Sequence, residues 1–383
     1  MEIPFHRPYI TDDEVRGVAD AVRSGWLTMG PRTVEFEEKF AGYVGSGHAV
    51  SMNSCTACLH LALRAIGLAE GDEVIVPAMT FTATAEVISY FGARPVFADI
   101  ETGTCNMDAM RLERLITGRT KAIIPVHFGG QPCDMEEILG LARARGARVI
   151  EDAAHALPAW YRYKKVGGLG DITCFSFYAT KTLCTGEGGM AATDNGQWAE
   201  MMEVLRLHGI SRDAWKRYTK EGAWRYEVID AGCKYNMTDI QAALGLAQLS
   251  KLEWMWEERR EIARRYNEAF SQVEGLIPPF VKSDRESAWH LYSLKLNLES
   301  LSIGRDRFIE EMTKRGVGAS VHFIPLYRQP YYRDKYGWRL SEFPASEWVF
   351  GRTVSLPIYP SMTEEEISGV IEVVTYLAEK FKR

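Results

Sequence analysis

Asp171-Ile-Thr-Cys-Phe-Ser-Phe-Tyr178 runs through Ala179-Thr-Lys181 into Thr182-Leu-Cys-Thr-Gly-Glu-Gly-Gly189 and then Met190-Ala-Ala-Thr193. The β-branched and aromatic first run predicts a buried strand. The glycine-rich turn and the apolar run from Gly189 to Thr193 predict a second strand beside it. Between them, three residues past Tyr178, stands Lys181. Lysine is rarely buried unless it is paired or working. Two readings fit these residues alone: a Schiff-base lysine that holds a cofactor, and a strand-end lysine pointing into water.

Outward from this stretch, strands and helices alternate. Strands are expected at Ala49-Val-Ser-Met52, Glu73-Val-Ile-Val76, Pro95-Val-Phe-Ala-Asp99, Lys121 to His127 and Arg148-Val-Ile-Glu-Asp152. Helices are expected from Thr80 to Phe91, Asp108 to Ile116 and Met135 to Arg145, and Leu59, Leu63 and Ile66 recur at helical spacing. Short apolar strands separated by helices predict an α/β fold with a mainly parallel central sheet covered on both faces. Such sheets bind ligands at the carboxyl ends of their strands.

The flanks are less regular. Pro4 to Arg7 reads as an irregular arm, and Thr11 with Glu14 forms a capping box for the first helix. A second amphipathic helix is expected from Val34 to Val44, and another from Gln197 to Leu207. Ser211 to Gly232 reads as a long loop. A long helix from Thr238 to Phe270, with a break near Trp254-Met-Trp256, is expected to link two parts. Beyond it, strands at Trp289–Leu296 and Ala319–Phe323 and helices at Arg305–Lys314 and Thr363–Phe381 predict a smaller α+β unit. The expected division is a large domain of residues 1–250, arm included, and a small C-terminal domain of residues 251–383.

Composition narrows the function classes. The 383 residues are 46% hydrophobic and 25% charged, an ordinary balance for a globular chain. A net charge of −6 argues against general nucleic-acid binding. Seven scattered cysteines suggest no disulfide framework, and a cytoplasmic location is expected. There is no apolar leader and no apolar run of membrane-spanning length. Cys55-Thr-Ala-Cys58 lacks a second metal-ligand pair, and no H-E-x-x-H occurs, so no metal is expected. No Walker A motif and no G-x-G-x-x-G after a strand is present, which weakens nucleotide-cofactor readings.

Three strand-end features converge in such a sheet. Asn53-Ser-Cys-Thr-Ala57 is a strand-to-helix turn whose amides and helix dipole suit a phosphate, though small polar residues there are also plain N-caps. Asp152 ends a strand, where a buried carboxylate needs a partner; a capping acid is the other reading. Lys181 is the third. An amine, a carboxylate and a phosphate cradle together fit pyridoxal 5′-phosphate.

With those residues in view, the chain resembles the DegT/StrS family of pyridoxal-phosphate sugar aminotransferases nearly end to end. The blocks are Ser24-Gly-Trp-Leu-Thr-Met-Gly-Pro31, Gly71-Asp-Glu-Val-Ile-Val-Pro77, Thr80-Phe-Thr-Ala-Thr84, Glu151-Asp-Ala-Ala-His-Ala156, Ser176-Phe-Tyr-Ala-Thr-Lys181, Gly186-Glu-Gly-Gly189, Lys234-Tyr-Asn-Met-Thr-Asp239 and Val321-His-Phe323. His208-Gly-Ile and Ala288-Trp-His-Leu291 are similar to the branch that forms UDP-4-amino-4-deoxy-L-arabinose.

The resemblance implies the aminotransferase fold type I and these roles. Lys181 and Asp152 are catalytic, the first as the Schiff-base lysine and the second on the pyridine nitrogen. Phe81 stacks on the ring and His155 lies near its hydroxyl. Cys55, Thr56, Ala57 and Ser176 contact the phosphate, and Asn236 reaches it from the neighbouring subunit of a homodimer. His322, Tyr327, His208 and Thr28 are substrate candidates. The implied reaction moves an amino group from L-glutamate to a UDP- or dTDP-linked 4-keto sugar, for lipopolysaccharide or other surface glycans. Tyr178 and Thr182 depart from common family residues. Two rivals share the fold: a sugar dehydratase, which carries histidine in place of Lys181, and a non-catalytic regulator that binds the cofactor.

Overall fold

The computed structural model describes residues 2–211 and 226–383. Most of the loop expected at Ser211–Gly232 lies outside the described residues.

A seven-stranded sheet organises the chain. Its order is His48–Met52, Gly189–Thr193, Ile172–Ser176, Arg148–Asp152, Thr120–Ile123, Glu73–Pro77 and Arg94–Ala98. Gly189–Thr193 runs antiparallel to both of its neighbours, and the remaining pairings are parallel. Glu73–Pro77 is buried at every position, as a strand covered on both faces must be. Alternate residues serve opposite cores. Val74, Val76, Ile150 and Ile172 pack with the apolar face of helix Cys55–Ala65. Ile75, Ile123 and Val149 pack with helix Met135–Arg145, while Phe175 meets Phe36 and Phe40 of helix Pro31–Val44.

A second, antiparallel sheet joins Leu276–Ile277, Tyr292–Leu296 and Thr353–Leu356. Helices Leu252–Phe270, Arg305–Thr313 and Glu364–Lys380 cover it around Tyr266, Phe270, Phe308 and Leu377. The arm is tied here: Ile3 is buried in this core and exchanges backbone hydrogen bonds with Gly316 (2.7 Å) and Gly318 (2.8 Å). Among the described residues no helix is long and apolar enough to cross a membrane.

Several expectations shift for physical reasons. The Thr11 capping box forms, with the Thr11 amide donating to Glu14 at 2.8 Å. The strand expected to reach His127 stops at Ile123, because Pro125 has no amide to continue the ladder. The long helix breaks at Lys251 rather than at Trp254–Trp256, giving Asp239–Ser250 and Leu252–Phe270. Lys251 at the break reaches Thr11 (2.7 Å) and Glu14 (2.9 Å), while Trp256 stays helical and donates to the Ser287 carbonyl. Ala319–Phe323 is not a strand; only Ser320 bridges, to Ser355. A small sheet of Trp160–Tyr161, Lys164–Lys165 and Arg285–Glu286 had no sequence signal.

Candidate active site

Six of the strands end on one edge of the large sheet, and Asp152 and Ser176 are the last residues of two that lie side by side. Gly189 starts the reversed strand between Ser176 and Met52, opposite both. A Cβ on Gly189 would lie 2.6 Å from the Cys55 amide nitrogen and from the Ser54 carbonyl carbon. Glycine therefore lets the strand meet the start of helix Cys55–Ala65 directly. The result is a cavity of about 380 Å³ with Lys181, Asp152, His155 and Phe81 in its walls.

Lys181 follows its strand by one tight turn, its amide donating to the Tyr178 carbonyl at 2.8 Å. Burial lowers its pKa to about 8, against the opposing pull of Asp152 and Cys55. Its Nζ lies 3.5 Å from Nε2 of His290.

Asp152 is buried. Burial raises its pKa, while Thr84, the Ala154 amide and Lys181 pull it down. Thr84 Oγ1 donates to Oδ2 at 2.8 Å, and the Ala154 amide donates to Oδ1 at 3.1 Å. Thr80 and Thr84 hydroxyls are 2.9 Å apart, so a hydroxyl pair backs the carboxylate. A carboxylate so held stays oriented and can pair with a cation in the cavity.

His155 is also buried. The Gly129 amide donates to its Nδ1 at 3.3 Å, which leaves the ring proton on Nε2. Burial, then Lys181 and His322, hold its pKa well below the usual histidine value, so the ring is neutral. Its plane stacks on Phe323 at 5.9 Å and 21°. His322 accepts or donates at Nδ1 with Ser355 Oγ (2.8 Å), and burial lowers its pKa to about 4. Phe81 stands at the mouth with 59% of its surface exposed, 6.1 Å from Phe323. Its position at the mouth leaves a ring face free for a flat ligand in the cavity.

The N-cap reading of the Asn53–Ala57 turn holds. Ser54 is the N-cap, its hydroxyl accepting from the Ala57 amide at 3.1 Å. The Ala57 amide is thus engaged by the cap, and Ala57 does not line the cavity. Cys55 and Thr56 do line it, and their amides have no partner among the described residues. Ser176 completes this end of the cavity.

The other expected residues lie elsewhere. Tyr327 is 1% exposed, stacks on Phe343 at 4.4 Å and donates to Glu347 at 2.8 Å, so it is a core residue of this chain rather than a wall of the cavity. Asn236 bridges to Met52 and donates to the Met237 carbonyl, away from its own chain's cavity. Thr28 is exposed and its carbonyl accepts from the Asp239 amide. His208 is exposed, with φ of +60°. Sequence reasoning missed His290, Phe323 and Thr84 as parts of the site. All three sit in stretches already singled out, Ala288–Leu291, Val321–Phe323 and Thr80–Thr84.

The donor set fits pyridoxal phosphate: an amine poised to lose its proton, an oriented carboxylate, an open aromatic face, a neutral imidazole N–H and two free amides at a helix start. The model of the DegT/DnrJ/EryC1/StrS aminotransferase family matches residues 8–375. The chain belongs to that family. As a DegT/DnrJ/EryC1/StrS protein it is a transaminase that uses pyridoxal phosphate. It is 49% identical over 373 residues to the spore coat polysaccharide biosynthesis protein SpsC of Bacillus subtilis, covering 97% of this chain and 96% of SpsC. Spr1654 of Streptococcus pneumoniae, described as a sugar aminotransferase, superposes in its PMP form with a TM-score of 0.93 at 36% identity over 99% of both chains. Helicobacter pylori PseC, an aminotransferase involved in the biosynthesis of pseudoaminic acid, gives 0.92 at 30% identity over 100% of both chains.

Proposed function

We propose that the protein transfers an amino group from L-glutamate to a nucleotide-linked 4-keto sugar, UDP- or dTDP-bound, and so supplies amino sugars for surface polysaccharide. The observation that carries this reading is the meeting of Lys181 and Asp152 in one cavity at the carboxyl edge of the sheet, with the lysine lowered to about 8. The likeness to SpsC and PseC supports the sugar as acceptor.

When bound, pyridoxal phosphate supplies an aldehyde that exchanges amines and a ring that accepts electrons from a carbon losing its proton. The chain's own residues do the rest. Cys55 and Thr56 amides and Ser176 would hold the phosphate. Phe81 would cover one face of the ring, and His155 would offer its Nε2 proton to the ring oxygen. Asp152, held by Thr84 and Ala154, would pair with the ring nitrogen and favour its protonated form; such a charged hydrogen bond contributes roughly 1.5–3 kcal/mol. Lys181 would hold the cofactor through its amine and, once freed, its Nζ would be the group that takes and returns the proton at the donor's α-carbon, and in the second half of the transfer at the sugar carbon that receives nitrogen.

His322 meets the sugar in this reading. Asn236, Thr28 and His208, which lie outside their own chain's cavity, belong to the rim that a second subunit brings to it. The working unit is then a homodimer in the cytoplasm, where nucleotide sugars are made. A dehydratase would need histidine where Lys181 stands.

The test is purified protein with L-glutamate and a panel of UDP- and dTDP-linked keto sugars, reading 2-oxoglutarate release. Release with a 4-keto sugar is expected. Bound cofactor that glutamate leaves unbleached, or no release beyond one equivalent per site with any of the keto sugars, would sink the reading.

A further inference from the structure

His290 carries features that the cofactor contacts do not use. It is 7% exposed and lines the cavity. Its Nε2 is 3.5 Å from Lys181 Nζ, and its Nδ1 has no partner among the described residues. Its ring lies 4.5 Å from that of His155.

The backbone around it is strained on its behalf. Trp289, the residue before it, has φ of +50°, a region that bulky side chains avoid. Such strain persists only where the surroundings enforce it, and it clusters at functional sites. Here the enforcement is visible. The Ala288 amide donates to the Gly130 carbonyl (3.0 Å) and the Leu291 amide to the Gly129 carbonyl (3.1 Å), clamping both sides of the bend. Ser287 Oγ accepts from the Trp289 amide at 3.1 Å, and the buried Arg259 donates to the Trp289 carbonyl at 3.4 Å. Gly130 has φ of +111°, and a Cβ there would lie 2.9 Å from the Ala288 nitrogen. The bend sends Trp289 to the core around Tyr266 and Tyr292 and His290 into the cavity. The same glycine turn orients His155 through the Gly129 amide.

We propose that His290 is a positioning residue for Lys181: its Nε2 accepts a hydrogen bond from the ε-amino group and holds that group in one orientation whenever it is free to move a proton. The inference rests on Lys181 being the cofactor lysine. A lysine amine on four rotatable bonds has no fixed direction of its own. Of the groups around it, the Asp152 carboxylate is committed to Thr84 and Ala154, and the Cys55 thiol, raised well above its usual value by burial, is neutral. His290 is a neutral acceptor, because burial and the cations Lys181 and Arg259, with His155 and His322 beside it, hold its pKa well down. The proton then sits on Nδ1 and the lone pair on Nε2 faces the amine. A separation of 3.5 Å is the long end of a hydrogen bond, and such contacts tighten when the site fills.

The variants are His290→Gln, whose amide oxygen reaches the Nε2 position, and His290→Asn and His290→Leu, which place no acceptor there. Two readouts apply: the single-turnover rate of the holoenzyme with L-glutamate, and, in the cofactor-free protein, the pH midpoint at which Lys181 captures pyridoxal phosphate. For His290→Leu and His290→Asn the rate is expected to fall about 100-fold, with unchanged cofactor content and a KM within about threefold. The capture midpoint moves below that of the wild type, because a neutral acceptor favours the ammonium form. His290→Gln recovers most of the rate. Rates within about threefold of wild type for His290→Asn, or equal losses for Gln and Asn, would overturn the proposal, as would a loss expressed only in KM. A wild type that captures no cofactor at Lys181 would instead sink the lysine's assignment. If glutamate is not the donor, the capture midpoint still decides the role of His290.

Discussion

The free amine of Lys181 should be far more available than that of an ordinary lysine, and by a calculable amount. Burial lowers its pKa from 10.5 to about 8. At pH 7 about one molecule in eleven then carries the neutral amine, against about one in 3,000 for an unperturbed lysine, a ratio of about 300. The assay mixes cofactor-free protein with pyridoxal phosphate and follows the yellow product across pH 7 to 11. Rates are taken relative to a blocked free lysine in the same buffers, which cancels the cofactor's own ionisation, and Lys181→Ala supplies the blank. The relative rate should fall about 200-fold between pH 7 and pH 11, most of it between the two pKa values. Stability carries the matching sign. The folded pKa lies below the unfolded one, so the unfolded chain binds more protons between about pH 8 and 10.5 and the cofactor-free protein gains stability as pH rises through that window. A relative rate that stays flat across the range would refute the depressed lysine and with it the claim that burial prepares the amine.

Three further outcomes follow from the same geometry. Asp152→Asn keeps the shape but removes the charge and leaves only one oxygen to accept, from the Ala154 amide; kcat should fall about 10- to 150-fold, read by single-turnover kinetics, and the Lys181 midpoint should drop below that of the wild type. Gly189→Ala forces a Cβ to 2.6 Å from the Cys55 nitrogen and should weaken cofactor binding by roughly 1–3 kcal/mol in an equilibrium titration. Gly140→Ala, in helix Met135–Arg145 with nothing within 4 Å, is the control and should leave that affinity unchanged. Tyr327→Phe removes one hydrogen bond to Glu347, which Arg328 still pairs, so thermal unfolding should register a loss of about 1 kcal/mol while kcat and KM stay within about twofold.

Much of the fold was legible because its signals are local. Runs such as Glu73-Val-Ile-Val76, the Thr11–Glu14 box and the glycines around Ser176–Gly189 each encode their own conformation. What was not legible depended on partners distant in sequence. The helix break at Lys251 follows from a reach to Thr11 and Glu14 more than 230 residues earlier. Ala319–Phe323 has the alternation of a strand but finds a partner only at Ser320. In the site, Lys181 and Asp152 were readable as chemistry at strand ends, whereas Phe81 came only with the family resemblance. Tyr327 was not: an aromatic just after Val321–Phe323 fits the core as well as the cavity, and only its stacking on Phe343 separates the two.

The cavity also shows how one lysine is kept both buried and usable. A lone ammonium in such a place would lose its proton outright, and a close carboxylate partner would hold the proton too firmly. Here Asp152 is near enough to favour the charge but has its oxygens engaged by Thr84 and Ala154, while His155, His290 and His322 are all driven to the neutral form. Three neutral imidazoles add polarity without adding charge. Burial, opposed by Asp152 and Cys55, settles the amine near pH 8, where it can both give and take a proton at the pH of a cell. That balance depends on the Gly129–Gly130 turn, whose backbone fixes His155 directly and His290 through the bend at Trp289. A change at this turn, distant in sequence from Lys181, should therefore alter the lysine's proton affinity before it alters the sheet.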